Sequence, residues 1–318
     1  MQGVTQAETA SSPSAIRLIY HGRLANNLFQ YCFARILSEA LQATLIAAPV
    51  SGFPGTGGHD LQDRPSTYDR HIRLVQPWRE SRLLLEEAGE ALFTTFENLI
   101  ATLRQRSRGS LITIDGIGAF LNIRFYENHR ERMREEWLKI PSRREMHPRD
   151  LTVHIRSGDI WWNPATQPPH ASYCALPFSF YREVITLENW RRIYVVTEDP
   201  ADLMAMKLAR EYGAEIVSHD VFQDFCFLRE STNVVLAVST FSWLASYLSK
   251  ADRIYVPLAG LFHSGVRPDI DLHARDPRYR YITISPRGAF GELFQGIYAP
   301  GEPAWSGLPQ LRQQLLNM

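Results

Sequence analysis

The sequence predicts an α/β protein in which parallel sheets are covered by helices. Short β-branched runs alternate with helical patterns along the chain, which is typical of that class. The chain has 318 residues, more than the roughly 250 to 300 at which a single hydrophobic core stops growing. We therefore expect two lobes, each large enough to bury a core.

The first half of the chain opens as a strand, a turn and a helix. Residues 16–20 are short and apolar, the turn signal His-Gly-Arg follows, and apolar side chains then recur every four residues from Leu28 to Ala40. The later elements of this half are expected as follows: a surface loop over 51–69, a helix over 86–103, a strand over 111–114 and a helix over 124–137. These elements make up the first lobe, residues 15–140, and the small, polar residues 1–14 before it are expected to be disordered.

Residues 141–150 contain two prolines and few apolar side chains, which is typical of a linker. Beyond this linker the second lobe, residues 151–318, repeats one pattern of strand and helix. The strands are expected over 151–155, 192–196, 216–217, 234–238 and 254–256, and the helices over 180–185, 203–212, 224–229 and 241–249. Ligands of parallel sheets bind beyond the carboxyl ends of the strands. Polar residues at those ends are therefore the candidates for a functional site.

Composition excludes several classes of partner. The 34 basic residues equal the 34 acidic ones in number, so no net field attracts nucleic acid or an anionic membrane. The three cysteines have no CxxC spacing, which argues against a zinc site and a disulfide framework and favours a reducing cytoplasm. The chain contains neither a signal-peptide pattern at its start nor a run of roughly 18 apolar residues. We expect a protein without nucleic-acid or membrane partners; its oligomeric state is left open.

Three polar clusters follow predicted strands of the second lobe. Their members are His154, Arg156 and Asp159 in the first cluster, Thr197, Glu198 and Asp199 in the second, and Ser239, Thr240 and Ser242 in the third. The third cluster begins a helix, whose N-terminus carries about half a positive charge suited to phosphate. A planar guanidinium can clamp the same anion with two hydrogen bonds. Together these features predict a diphosphate site.

Plainer interpretations exist for each cluster. Serine and threonine before a helix are most often N-caps, and an arginine near an aspartate is most often a structural ion pair. His154 alternates with apolar neighbours and has the pattern of a core histidine. Asp269 and Asp271 lie in a loop beside a proline, where we expect a solvated turn. The sequence therefore predicts no essential metal and no cofactor.

Four motifs resemble those of one enzyme family. GRLANNLFQYCFA resembles the GRLGNQMFQYAFA opening of the α1,2-fucosyltransferases, VHIRSGD resembles their HxRRGD motif, and STFSWLASYL resembles their SSFSWWGAYL segment. TEDP is similar to the TDDP stretch of the wider fucosyltransferase superfamily. The resemblances occur in the family's order over residues 16–257. They imply the GT-B architecture, in which two Rossmann-like domains face each other.

The resemblance also implies an activity: inverting, metal-independent transfer of L-fucose from GDP-β-L-fucose to a hydroxyl of a glycan acceptor, with an α1,2 linkage expected. Arg156 would hold the diphosphate and assist the leaving group, and Asp159 is the candidate base. The remaining donor-binding residues implied by the resemblance are Arg23 and Asn26 in the first lobe and His154, Thr197, Glu198, Asp199, Ser239, Thr240, Phe241 and Ser242 in the second. Among these, His154 and Asp199 would lie near guanine or ribose.

The chain departs from the family pattern at several positions. Ser157 replaces the second arginine of the HxRRGD motif, Ala25 and Asn27 alter the first motif, and Leu244 replaces a tryptophan. The loss of one of two adjacent guanidinium groups weakens the diphosphate clamp. Two alternatives therefore stay open: the transfer of another GDP-linked sugar, or a binding protein for a nucleotide sugar or a glycan that has lost turnover.

Overall fold

The computed structural model describes residues 14–58, 68–77, 80–87, 89–107, 109–115, 118–140, 145–157, 175–284 and 317. The predicted disordered segment 1–14 lies outside these residues except for Ser14. The chain divides into two compact units, Met1–Leu121 and Asn122–Met318. This division precedes the expected linker at 141–150, because residues 122–140 pack on the second unit. Arg130, for example, donates to the carbonyl of Tyr247 at 2.6 Å.

Within its described residues, the first unit contains one six-stranded sheet and two α-helices. Its elements are β1 (Ala15–Ile19), α1 (Leu24–Leu41), β2 (Thr44–Ile46), β3 (Arg70–Val75), β4 (Leu83–Glu87), β5 (Gly89–Phe93), α2 (Phe96–Arg106) and β6 (Ser110–Asp115). The strand order is β2-β1-β6-β3-β4-β5. Strands β1, β2, β3 and β6 pair in parallel, whereas β4 and β5 add an antiparallel hairpin at one edge.

The predicted helix over 86–103 is wrong in its first part. The chain forms β4 and β5 there, and α2 begins only at Phe96, with the Thr95 side chain accepting from the backbone N–H of Asn98. Leucine and glutamate favour helices in isolation. Pairing of β4 with β3 overrides this preference, because the pairing buries Leu83 and Leu85 in the sheet.

The predicted helix over 124–137 is also interrupted. Three short 3-10 and α turns, the last of them α3 (Arg130–Arg132), lead into a wider π-type turn at Met133–Trp137. The Arg229 guanidinium donates to the carbonyls of Arg134 and Leu138. Arg229 thus contacts the turn near both of its ends, at its second residue and at the residue that follows it.

The second unit contains a six-stranded sheet that is parallel throughout. Its strands and its further helices are β7 (Asp150–Ile155), α4 (Phe178–Thr186), β8 (Arg192–Thr197), α5 (Leu203–Tyr212), β9 (Glu215–Val217), α6 (Val221–Glu230), β10 (Asn233–Val235), α7 (Thr240–Tyr247), β11 (Arg253–Leu258) and β12 (Tyr279–Thr283). The strand order is β12-β11-β10-β7-β8-β9. The predicted α/β class with parallel sheets is confirmed.

Burial explains why β7 lies at the centre of this sheet. All six of its residues are buried, as expected for a strand with neighbours on both sides and helices on both faces.

Within the part of the chain that the structure describes, none of the helices has both the length and the apolar composition that a membrane span needs.

The buried carboxylate at the start of β7 predicts an acid-sensitive fold. Asp150 is 1% exposed and accepts two hydrogen bonds from Arg191, at 2.8 and 2.6 Å. Burial alone would raise the pKa of Asp150, but hydrogen bonds from Arg191 and from the backbone of His147 outweigh it and lower the pKa. The native state therefore favours the ionised carboxylate, so its stabilising effect is present at neutral pH and is lost as the pH falls through the native pKa.

We expect the free energy of unfolding of the wild-type protein to fall steeply below about pH 4, the ordinary pKa of an aspartate. Asp150→Asn should be less stable at pH 7 by about 1 to 3 kcal/mol, with a shallower acid dependence in urea titrations from pH 3 to 7. Asp252→Asn, which alters an exposed aspartate near the start of β11, is the control. Equal acid dependence in wild type and Asp150→Asn would contradict this assignment.

Candidate functional site

The second sheet has the strand order of a doubly wound nucleotide-binding fold. Counted within the unit, its strands run third, second, first, fourth, fifth and sixth, from β9 through β7 and β10 to β12. The winding reverses between β7 and β10, and ligands of such sheets bind outside the carboxyl ends of the strands at this switch point. The residues that follow β7 and β10 therefore border the place at which this class of fold binds a ligand.

Arg156 lies at this switch point. It follows directly on β7, it is half-buried, and its Nη1 atom lies 3.5 Å from the carbonyl oxygen of Val238, between β10 and α7. A guanidinium has five N–H donors in one plane and keeps its charge at physiological pH. Arg156 is thus a cationic group suited to the oxygens of a diphosphate.

The start of α7 forms the other side of the switch point. The Ser239 hydroxyl accepts from the backbone N–H of Phe241 at 3.2 Å and caps the helix. The fully buried Ser242 hydroxyl lies 3.4 Å from the carbonyl of Ala237. Thr240, the first residue of the helix, is also buried. Ser239 thus has the plainer capping role that was considered above, and a phosphate contact for these hydroxyls stays a prediction.

Aromatic packing fixes the first turn of α7 against β7. The Phe241 ring lies 5.6 Å from the His154 ring and 5.5 Å from the Phe225 ring, centroid to centroid. His154 itself is only 7% exposed. Its ring therefore packs as a core histidine does, next to the site, and its contact with a nucleotide stays a prediction.

The second cluster lies where β8 ends, beside β7. The buried Thr197 hydroxyl lies 3.1 Å from the hydroxyl of Ser157, which joins the ends of the two strands. Glu198 and Asp199 follow and are exposed, and Asp199 accepts from the backbone of Ala201 at 2.9 Å. Two exposed carboxylates thus stand at the carboxyl edge of the sheet, where hydrogen bonds to a base or a ribose are chemically possible.

The predicted residues of the second lobe therefore come together at one edge of its sheet, with one exception. Asp159, the candidate base, lies outside the described residues. Arg23 and Asn26 belong to the first unit: exposed Arg23 precedes α1, and Asn26 packs against Gly22, where an added Cβ atom would lie 2.7 Å from the Asn26 amide nitrogen.

Sequence reasoning missed a histidine and an aspartate at the same edge. His219 follows β9 and is about half-exposed, and its Nδ1 atom lies 3.2 Å from the carboxylate of Asp224. Asp224 is buried in the first turn of α6, and that burial raises its pKa. An acidic residue inside the apolar pattern of a helix was the available signal, because such a residue is seldom buried without a partner.

The interpretation of Asp269 as part of a solvated turn is wrong. Asp269 is 7% exposed and Arg267 is 3% exposed, and two hydrogen bonds of 2.7 and 2.5 Å join them. Of the two aspartates, Asp271 is the solvated one, since its side chain is about 41% exposed. The described residues contain no cluster of three or more histidine, cysteine, aspartate or glutamate side chains that could hold a metal ion.

Comparisons with known proteins find similar structures but no matching sequence. No protein-family model matches the chain, and no curated protein matches it significantly. A crystal structure of POFUT1 with GDP-fucose matches at 11% identity and a TM-score of 0.44, over 77% of this chain and 96% of its own. A crystal structure of POFUT1 with GDP matches at 11% identity and a TM-score of 0.42, over 74% of this chain and 95% of its own. A mutant of Arabidopsis thaliana FUT1 with GDP matches at 11% identity and a TM-score of 0.41, over 78% of this chain and 71% of its own. At these values, function has to be argued from the residues of the chain itself.

Proposed function

We propose that the protein is a glycosyltransferase that moves L-fucose from GDP-β-L-fucose to a hydroxyl of an oligosaccharide or glycoconjugate, with inversion and without a metal ion. The α1,2 linkage is the expected product. The observation that carries the proposal is the location of Arg156, a guanidinium between the carboxyl ends of β7 and β10 and beside the first turn of α7. In a doubly wound sheet this is the phosphate-binding position.

The chemistry of the transfer requires a cation at that position. When the bond between the sugar C1 atom and the diphosphate oxygen breaks, the bonding pair leaves with the diphosphate, whose negative charge increases. A guanidinium and a helix N-terminus that are already oriented stabilise this charge in the transition state, and one such donor contributes about 10²- to 10³-fold in rate. Thr197, Glu198 and Asp199, at the end of β8, supply further polar atoms for the nucleoside.

Ser157 supports a second candidate, the transfer of another GDP-linked sugar. The family pattern has an arginine there, but the Ser157 side chain is buried against Thr197. The motif therefore supplies one guanidinium after β7 instead of two. A sugar other than fucose would need a different set of contacts. The outcome of donor screening distinguishes the two candidates.

We expect the purified full chain to bind GDP and to release GDP from GDP-fucose in the presence of EDTA. The assay compares GDP-fucose, GDP-mannose and UDP-galactose as donors, each with p-nitrophenyl glycosides of galactose, glucose, mannose and N-acetylglucosamine as acceptors. Release from GDP-mannose alone would favour the second candidate. GDP binding without release from any donor would favour a binding protein, and a strict requirement for Mg²⁺ or Mn²⁺ would contradict metal independence.

A further inference from the structure

A cavity of about 260 Å³ opens at the amino edge of the second sheet. Its wall is formed by residues that precede β7 and β10, by the ends of α6 and α7, and by the π-type turn with the residues that follow it. Arg156 and the start of α7 lie at the opposite, carboxyl edge, so this cavity is separate from the candidate site. Its volume is near the lower limit for ligand pockets, which suits a small molecule rather than a folded partner.

The wall of the cavity is net positive. Four basic side chains line it, against the two carboxylates of Glu135 and Glu230. The basic residues are Arg134, Lys139, Arg229 and Lys250. Arg134 donates to the Glu135 carboxylate at 2.9 Å, so the charges of this pair cancel. The remaining three cations are opposed by a single carboxylate, that of Glu230.

Lysine is rare in this chain, and it is concentrated at this cavity. Only three of the 34 lysine and arginine residues are lysine, and two of the three, Lys139 and Lys250, line the cavity. The third, Lys207, pairs with Glu211 of its own helix and lies 4.3 Å from the centre of the Phe178 ring. Among the described residues, Lys139 and Lys250 form neither an ion pair nor a side-chain hydrogen bond.

Arginines already fill the ordinary role of a basic side chain at a helix end, which is to bind the last carbonyl groups. Arg229 donates to two carbonyls at the π-type turn. At the end of α7, Arg130 donates to the carbonyl of Tyr247 at 2.6 Å. Arg278 donates to the carbonyl of Ser249 at 3.1 Å. The two cavity lysines are therefore not needed for these helix ends, and their ammonium groups are available to a ligand.

Apolar side chains complete the wall: Ile140, Met146 and Leu248. A ligand that covers them removes apolar surface from water. Ammonium groups bind phosphate oxygens as point charges, and a phosphate monoester carries about −1.5 to −2 charges at pH 7. Two lysines from different elements, next to apolar surface, therefore match a phosphate monoester that carries a small apolar group.

We propose that this cavity binds a small phosphate monoester with an apolar group. Lys139 and Lys250 hold the phosphate, and the apolar residues of the wall cover the rest of the molecule. The site lies at the opposite edge of the sheet from Arg156 and does not depend on sugar transfer, so it goes beyond the proposed function.

The test is calorimetric titration of the purified full chain with phenyl phosphate at pH 7, where we expect one saturable site. Lys139→Gln and Lys250→Gln should each raise the Kd about tenfold, because each removes one charge-assisted hydrogen bond, and the double variant should abolish binding. Both lysines are exposed, so the melting temperature should not change. Lys207→Gln, which removes the one lysine outside the cavity, is the matched control and should bind as wild type does.

Three comparisons locate the binding and identify its chemistry. Phenol, which lacks the phosphate, should not bind measurably, and inorganic phosphate should bind more weakly than phenyl phosphate because it covers no apolar surface. Arg156→Ala should keep the wild-type Kd for phenyl phosphate. Loss of binding in Arg156→Ala together with full binding in both lysine variants would overturn the inference, because the anion would then lie at the carboxyl edge. The absence of saturable binding, or equal affinity for phenol, would also overturn it. None of these measurements involves sugar transfer, so their failure leaves the proposed function standing.

Discussion

Arg156→Ala is expected to reduce fucose transfer below detection and to weaken GDP binding. The variant removes the cationic side chain that directly follows β7, so the leaving diphosphate loses its cation in the transition state. Removing one preorganised donor of this kind costs about 10²- to 10³-fold in kcat, and loss of the ground-state contact adds an increase in Kd of about tenfold or more. GDP release and calorimetric titration with GDP measure the two effects separately.

Two further variants make this prediction specific. Arg156→Lys keeps the charge but loses the planar pair of donors, so it should recover only part of the GDP affinity. Arg149→Ala removes an exposed arginine before β7, where the guanidinium donates to the carbonyl of Asn189 at 2.6 Å. It should retain wild-type GDP affinity. Wild-type turnover in Arg156→Ala would remove the proposed mechanism.

Asp269→Ala is expected to cause a large loss of stability, because Asp269 is buried and paired with Arg267. The change leaves the Arg267 guanidinium buried and without the carboxylate that accepts its two hydrogen bonds. Breaking a buried ion pair on one side typically costs about 3 to 5 kcal/mol, because the remaining charge is uncompensated. Urea denaturation followed by circular dichroism should show a decrease of that size in the free energy of unfolding.

The control lies two residues along the chain. Asp271→Ala alters an aspartate that is about 41% exposed and whose nearest cation, Arg124, lies 3.9 Å away. Surface pairs of this kind contribute about 0 to 1 kcal/mol. The two variants remove the same chemical group from one Asp-Ile-Asp stretch, so equal stability losses would show that burial of the pair is not the cause.

Local patterns in the sequence predicted the second unit well. The helix expected over 203–212 is α5 at those residues: the Asp202 side chain accepts from two backbone N–H groups at its start, and Gly213 ends it with a φ of +63°. Capping residues and apolar spacing are local properties of the chain. The polar clusters were predictable for a similar reason, since each follows a strand whose burial is visible in the sequence.

Features that depend on distant partners were not predictable. Strand β12 was missed; it pairs with β11, and the apolar runs of the sequence end before it. The Asp269 carboxylate has the local pattern of a turn, and only the fold shows that it is buried with Arg267. The 2.8 Å contact between His21 and Asp115 joins residues far apart in the sequence, and it depends on β6 lying beside β1. Strand order is set by tertiary packing, and single-sequence patterns do not contain it.

The ring of Phe241 between His154 and Phe225 has a consequence for how an anion would be captured. These contacts are made by side chains of the second unit itself, so the protein's own packing holds the first turn of α7 in place. A nucleotide that binds at this turn does not have to order the backbone of α7. Its affinity is therefore not reduced by the entropic cost of that ordering. In kinetic terms, encounter rather than rearrangement of the helix should limit the rate at which a nucleotide docks.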